Sequence, residues 1–119
     1  MLSSLEIAQA AVKALDSKKG KEIKVLCTKD ITVLADYFII CTASSAPQIK
    51  TLADELGRVL TELGEPPLRT EGYRNGGWVL VDCGCVIVHL FLDEIRKFYA
   101  LERLWGDAPE VDISALITE

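Results

Sequence analysis

Little in this chain is equipped to make or break bonds. It has one histidine, His89, and four cysteines, Cys27, Cys41, Cys83 and Cys85. The sequence places no serine or cysteine nucleophile beside His89, so no nucleophile–base pair is legible and no catalytic residue is assigned. Cys83-x-Cys85 with His89 is not the spacing of a zinc knuckle and the ligand set is short, so no metal is expected and the cysteines read as buried reduced thiols. No apolar run approaches the roughly 20 residues of a membrane-crossing helix. No charged segment precedes an apolar one at the start, so no signal peptide is expected and the chain reads as cytoplasmic. Positive charge is also short. Lys and Arg number 13 against 18 Asp and Glu, a net charge of −5. That excludes nucleic acid as the main contact, because binding phosphates needs basic patches. It suits a partner that is itself basic.

What is present is an ordinary globular pattern. Half of the 119 residues are hydrophobic, enough for the core of one domain. Leu5, Ala8, Val12 and Leu15 fall at helical spacing. Ser3 and Glu6 offer a capping box and Gly20 a stop, which predicts a helix over 4–18. Ile23, Val25 and Cys27 alternate as a strand. The continuous apolar run over 37–42 suits a buried central strand. Ser45-Ala46-Pro47-Gln48 reads as a second capping box. It opens an amphipathic stripe of Ile49, Leu52, Ala53, Leu56, Leu60 and Leu63 that ends at Gly64. Leu68 to Glu71 suits a short strand. Asp93 is placed to cap a third helix carrying Ile95, Phe98, Leu101 and Leu104. The domain is expected to span 1–107, and the acidic tail over 108–119 to fray. This order gives α/β (α+β), a mixed β-sheet packed with helices.

The most informative stretch is a hairpin. Trp78 to Asp82 and Cys85 to Leu90 are short β-branched runs, and Cys83-Gly84 reads as a two-residue loop. Asp82 then pairs with Cys85, Leu80 with Ile87, and Trp78 with His89. One face shows Val79, Val81, Val86, Val88 and Leu90 and belongs on the core. The other shows Trp78, Leu80, Asp82, Cys85, Ile87 and His89, a candidate contact surface. Trp78 on that mixed face reads as a contact residue, since Trp is enriched in binding hot spots.

Several blocks together are similar to the ribosomal silencing factor family, also called Iojap-like. They are Ala35-Asp36-Tyr37-Phe38-Ile39-Ile40, Thr42-Ala43-Ser44-Ser45, Glu71-Gly72, the Trp78 block, Val88-His89-Leu90-Phe91, and Phe98-Tyr99-Ala100-Leu101-Glu102-Arg103-Leu104-Trp105. The resemblance implies a nucleotidyltransferase-like topology. It also implies a translation repressor that docks on large-subunit ribosomal protein fourteen (uL14) and hinders joining of the small subunit when nutrients run short. The partner-binding residues expected on this basis are Trp78, Leu80, His89, Arg96, Tyr99, Glu102, Arg103 and Trp105.

Two other readings compete. A nucleotidyltransferase-like enzyme or nucleotide-binding protein needs a Gly-Ser turn and two carboxylates at i and i+2 on one strand. Here Ala43 stands where family members often show glycine. Asp36 is followed at i+2 by Phe38 and Asp82 by Gly84, so no cofactor is expected. Ser44 and Ser45 then serve as a helix cap. A self-associating module would use the mixed face as a homodimer contact.

Overall fold

The computed structural model describes residues 3–29, 35–72, 78–92, 110–111 and 113. Its elements run α1 (Ser4–Ser17), β1 (Lys21–Cys27), β2 (Tyr37–Ala43), α2 (Ala46–Glu62), β3 (Arg69–Glu71), β4 (Trp78–Asp82), β5 (Val86–Leu92) and β6 (Glu110–Val111). The expected helix from Asp93 falls outside the described residues.

All seven residues of β2 are buried. A run such as Tyr37-Phe38-Ile39-Ile40-Cys41 can be solvated on neither face, so it takes an inner place in the sheet. The strand order is β3-β4-β5-β2-β1-β6. β2 runs parallel to β5, and every other pair is antiparallel. The sheet is therefore mixed, as expected. Both helices pack on one of its faces. Ile7, Val12 and Leu15 of α1 and Leu52, Leu56 and Leu60 of α2 meet Ile39, Val79, Val88 and Leu90 there. On the opposite face Leu26, Ala35, Phe38, Ile40 and Phe91 form a second cluster, with Trp78 and Ile87 against it.

The helix ends show how local chemistry sets these boundaries. Ser3 and Glu6 make the expected capping box of α1. At the other end the Gly20 N–H donates to Leu15 O and the Lys19 N–H to Asp16 O, both at 2.9 Å. This is a Schellman motif. The left-handed residue is Lys19, with φ 65°, and not Gly20 as the sequence suggests. Gly20 is needed for close approach instead. A Cβ there would lie 2.5 Å from Cys41 Sγ and 3.0 Å from Leu15 O. α2 ends in the same motif with Gly64, φ 83°, in the left-handed position. The two neighbouring residues of α1 therefore have opposite tolerances. Lys19→Gly is expected to raise stability by about 1 kcal/mol by relieving the left-handed side chain. Gly20→Ala is expected to lower it by about 1–3 kcal/mol by overpacking. Urea midpoints of the two variants check this, and matching shifts of one sign would contradict it.

The hairpin keeps its expected faces but not its expected register. Asp82 pairs with Ile87, Leu80 with His89 and Trp78 with Phe91. The tip is Gly84-Cys85, with the Cys83 N–H donating to Val86 O at 2.9 Å. Two contacts move it. The Asp82 carboxylate accepts from the Gly84 N–H at 2.8 Å. The Cys85 carbonyl is taken by the N–H groups of Asp36 and Tyr37 at the start of β2, so Cys85 is not free to pair with Asp82. The slip is two residues, an even number, so every side chain stays on its face.

Two residues of the 108–119 tail form β6 at the sheet edge. Val111 pairs with Val25 and Glu110 with Leu26, and Val111 and Ile113 pack on the main core. The edge is short, and β1 beside it carries a register break between Lys21 and Lys24 with Glu22 at φ 49°. A bulged, charged edge of this kind discourages pairing with another chain.

Candidate functional site

The face of the sheet opposite the helices carries Phe38, Trp78, His89 and Phe91. Trp78 opens β4, and its cross-strand partner is Phe91, with ring centroids 5.0 Å apart. His89 is the diagonal neighbour. The Trp78 indole Nε1–H donates to His89 Nδ1 at 3.4 Å, and the ring centroids are 6.2 Å apart. The imidazole stacks on Phe91 at an interplanar angle of 9° and tilts against Phe38. Nδ1 accepts, so the neutral ring carries its proton on Nε2. That atom is buried and has no hydrogen-bond partner among the described residues. Burial pushes the imidazole pKa down to about 4, since a charged ring would have to give up its water.

These contacts divide the expected contact residues. Trp78 and Leu80 are half-buried and reach the surface. His89 is only 7% exposed and lies against Trp78 on the inner side of that face. Phe38, Trp78 and Phe91 pack around its ring on that face. Arg96, Tyr99, Glu102, Arg103 and Trp105 lie outside the described residues. Phe38 and Phe91, which complete the aromatic group, were not singled out by the sequence. Their parity with His89 along β2 and β5 was the available signal.

An open hollow beside Trp78 is lined by Glu71, Gly72, Trp78 and Leu80. Glu71 pairs with Leu80 across β3–β4 and lies 3.5 Å from Arg69, whose guanidinium also reaches Asp82 at 3.3 Å. The Arg69–Glu71 pair is exposed and contributes little to stability, while Asp82 is half-buried. Gly72 has a stricter role. Its φ is 90°, and a Cβ there would collide with the Trp78 carbonyl oxygen. Gly72→Ala is therefore expected to force β3 away from Trp78, at a cost of about 2 kcal/mol. Denaturation with tryptophan fluorescence as the readout checks it. An unchanged midpoint and emission maximum would show that the chain relaxes freely there.

The residues of the nucleotide reading do not assemble into a site. Ser45 caps α2 by accepting from the Gln48 N–H at 3.2 Å. Gln48 does not return the bond to Ser45, as a full capping box would. Its side-chain carbonyl accepts from the Ser44 N–H at 2.6 Å and the Ser44 hydroxyl at 2.7 Å. Its amide donates to the carbonyls of Lys18 and Lys19. The turn that would cradle a phosphate is thus held by its own glutamine, which also ties α2 to the end of α1. Asp36 and Ser44 bracket the seven residues of β2, so eight steps of extended chain, roughly 26 Å, separate them. Asp82 lies at the Asp36 end and is engaged by Gly84 and Arg69. Carboxylates so placed cannot hold a metal against a phosphate at Ser44.

All four cysteines are free thiols. Cys41 alone is buried, and the other three are half-buried, a partial departure from the expected burial of all four. Burial, with smaller contributions from Asp82 and Cys85, pushes the Cys83 thiol up to about 12. A thiol held protonated is a poor nucleophile. Among the described residues no helix is long and apolar enough to cross a membrane.

Comparison with known proteins gives the family. Residues 2–119 match the profile of a family described as ribosomal silencing factor during starvation. The chain is 43% identical to the ribosomal silencing factor RsfS of Halalkalibacterium halodurans, over 98% of this chain and 100% of that one. It is 38% identical to the protein of the same name from Bacillus subtilis, over 94% and 95% of the two chains. A crystal structure of a Chromobacterium violaceum protein superposes with a TM-score of 0.86 at 40% identity, covering 88% of each chain.

Proposed function

This chain belongs to the ribosomal silencing factor family, and from that premise we propose that it represses translation by docking on the large ribosomal subunit. Its landing site in this reading is ribosomal protein uL14, and the docked chain occludes the small subunit. It acts in the cytoplasm as a regulator and not as an enzyme. The observation that carries the reading is the Trp78–Leu80 surface. A large aromatic reaches solvent from a rigid strand, held by His89 and Phe91 beneath it. Aromatic anchors on rigid elements are what protein–protein contacts use for affinity. Arg96, Tyr99, Glu102, Arg103 and Trp105 extend the contact in this proposal, with the charged members at its rim.

The test separates docking from occlusion. The chain is titrated against isolated uL14, then against large subunits while small subunits are added, with joining followed by light scattering. Binding to both, and slowed joining in proportion to occupancy, is the expected result. Normal joining with the factor bound would remove the occlusion step. Binding to naked ribosomal RNA but not to uL14 would remove the landing site.

A further inference from the structure

The net charge of −5 conceals a basic end. From Lys13 to Lys29 the chain carries six lysines against only Asp16 and Glu22, and one of the six, Lys29, lies at the far end of β1, over the Tyr37 ring. Three of them, Lys18, Lys19 and Lys21, fall within four residues at the turn from α1 into β1. All three are exposed, and none is in an ion pair among the described residues. The field of Lys18 reaches Glu55, but that carboxylate is held by Arg58 at 2.7 Å. The turn itself is rigid. Its left-handed Lys19, the closely packed Gly20 and the Gln48 bonds to two of its carbonyls fix the backbone that carries these charges.

The sheet register places this cluster at the same end as the aromatic surface. Trp78 pairs with Phe91, Phe91 with Thr42, and Thr42 with Lys21, in one row across four strands. Three strand spacings put Lys21 about 14 Å from Trp78. One side of a standard interface covers about 800 Å² and is roughly 30 Å across. Trp78 and Lys21 therefore fit within a single footprint, with Lys19 and Lys18 two and three residues before Lys21 at the same end of the sheet.

We infer that Lys18, Lys19 and Lys21 make a second contact of the docked chain, with the phosphate backbone of ribosomal RNA bordering its protein landing site. This rests on the docking reading above. Exposed lysines without partners attract a polyanion, and a protein surface chosen to bind an acidic chain would repel them. An otherwise acidic molecule gains orientation from this arrangement. The aromatic anchor engages protein while the basic end is drawn toward RNA, and the acidic remainder is kept from it.

The test uses the full chain with Lys18→Gln, Lys19→Gln and Lys21→Gln combined, and a matching triple Lys→Arg variant as the charge control. Thermal melts confirm that both fold. Each is titrated against intact large subunits and against isolated uL14, from low to moderate salt. Each phosphate neutralised contributes about 0.7–0.9 to the slope of log affinity against log salt. The glutamine variant is expected to lose about 2 from that slope on intact subunits, and roughly tenfold in affinity, with unchanged binding to uL14. The arginine variant should behave as the wild type. An unchanged slope and affinity on subunits would overturn the inference, as would an equal loss on both targets, which assigns the lysines to protein. If the wild-type chain binds neither target, the docking reading falls and this inference with it. Binding to subunits but not to uL14 changes the landing protein, and the salt slope still decides the lysines.

Discussion

Trp78→Ala is expected to weaken binding to the large subunit by about thirty-fold or more, since loss of a hot-spot aromatic costs about 2 kcal/mol. The structure adds a second effect that the measurement must separate. Removing the indole also strips His89 Nδ1 of its donor. Both imidazole nitrogens would then be buried without partners among the described residues, at a cost of about 1–3 kcal/mol in stability. Trp78→Phe resolves the two. It keeps a ring against Phe91 and loses only the N–H. The phenylalanine variant should carry the hydrogen-bond part of the stability loss and retain most of the affinity. The alanine variant should remain cooperative on melting yet fail to co-sediment. A folded alanine variant that co-sediments like the wild type would show that the anchor lies elsewhere.

Acid should destabilise the fold through His89 well before the carboxylates protonate. The folded pKa is about 4 against an ordinary value of 6.5. Between those values the unfolded chain holds the proton and the folded chain does not. Stability is therefore complete above about pH 6.5 and falls as the pH drops toward 4. The loss approaches about 3 kcal/mol, from 1.36 kcal/mol per pH unit. Carboxylates with lowered pKa, such as Glu55 beside Arg58, lose their contributions at lower pH still. His89→Leu fills similar space and cannot titrate. Urea unfolding at pH 7 and pH 5 should show a clear loss in the wild type and a much smaller one in the leucine variant. Equal losses in both proteins would place the acid sensitivity outside His89.

The parts of the fold that were readable from sequence were those governed by periodicity. β2 declared itself by an unbroken apolar run, and α1 and α2 by their stripes and caps. The two hairpin faces were also legible, because a slip of two residues leaves parity intact. The register was not, because it depends on the hold of Asp36 and Tyr37 on the Cys85 carbonyl, a contact across about 50 positions of chain. β6 is two residues long and has no period to read. At the site, alternation placed Trp78 and Leu80 on the mixed face, while the contact role given to them came from the resemblance and the use of Trp in binding hot spots. For His89 alternation gives the face and not the depth. Its burial depends on Phe38, which only the parallel pairing of β2 and β5 brings near. Gly72 was quoted as part of a motif, but its reason, the passage of the backbone past the Trp78 carbonyl, is tertiary.

The pairing of β2 with β5 also has a consequence for how the molecule is made. β2 is complete at Ala43, but its parallel neighbour is not available until Leu92. During synthesis the most apolar strand must wait through α2, β3 and β4, about 50 residues, for one of its two flanks. Such non-local closure is slow compared with helix or hairpin formation. Nascent chains in that interval expose an apolar strand and two unseated helices, the condition that recruits chaperones and favours misassembly. Completion of this sheet is thus a late event, timed by the emergence of β5 from the ribosome that makes it.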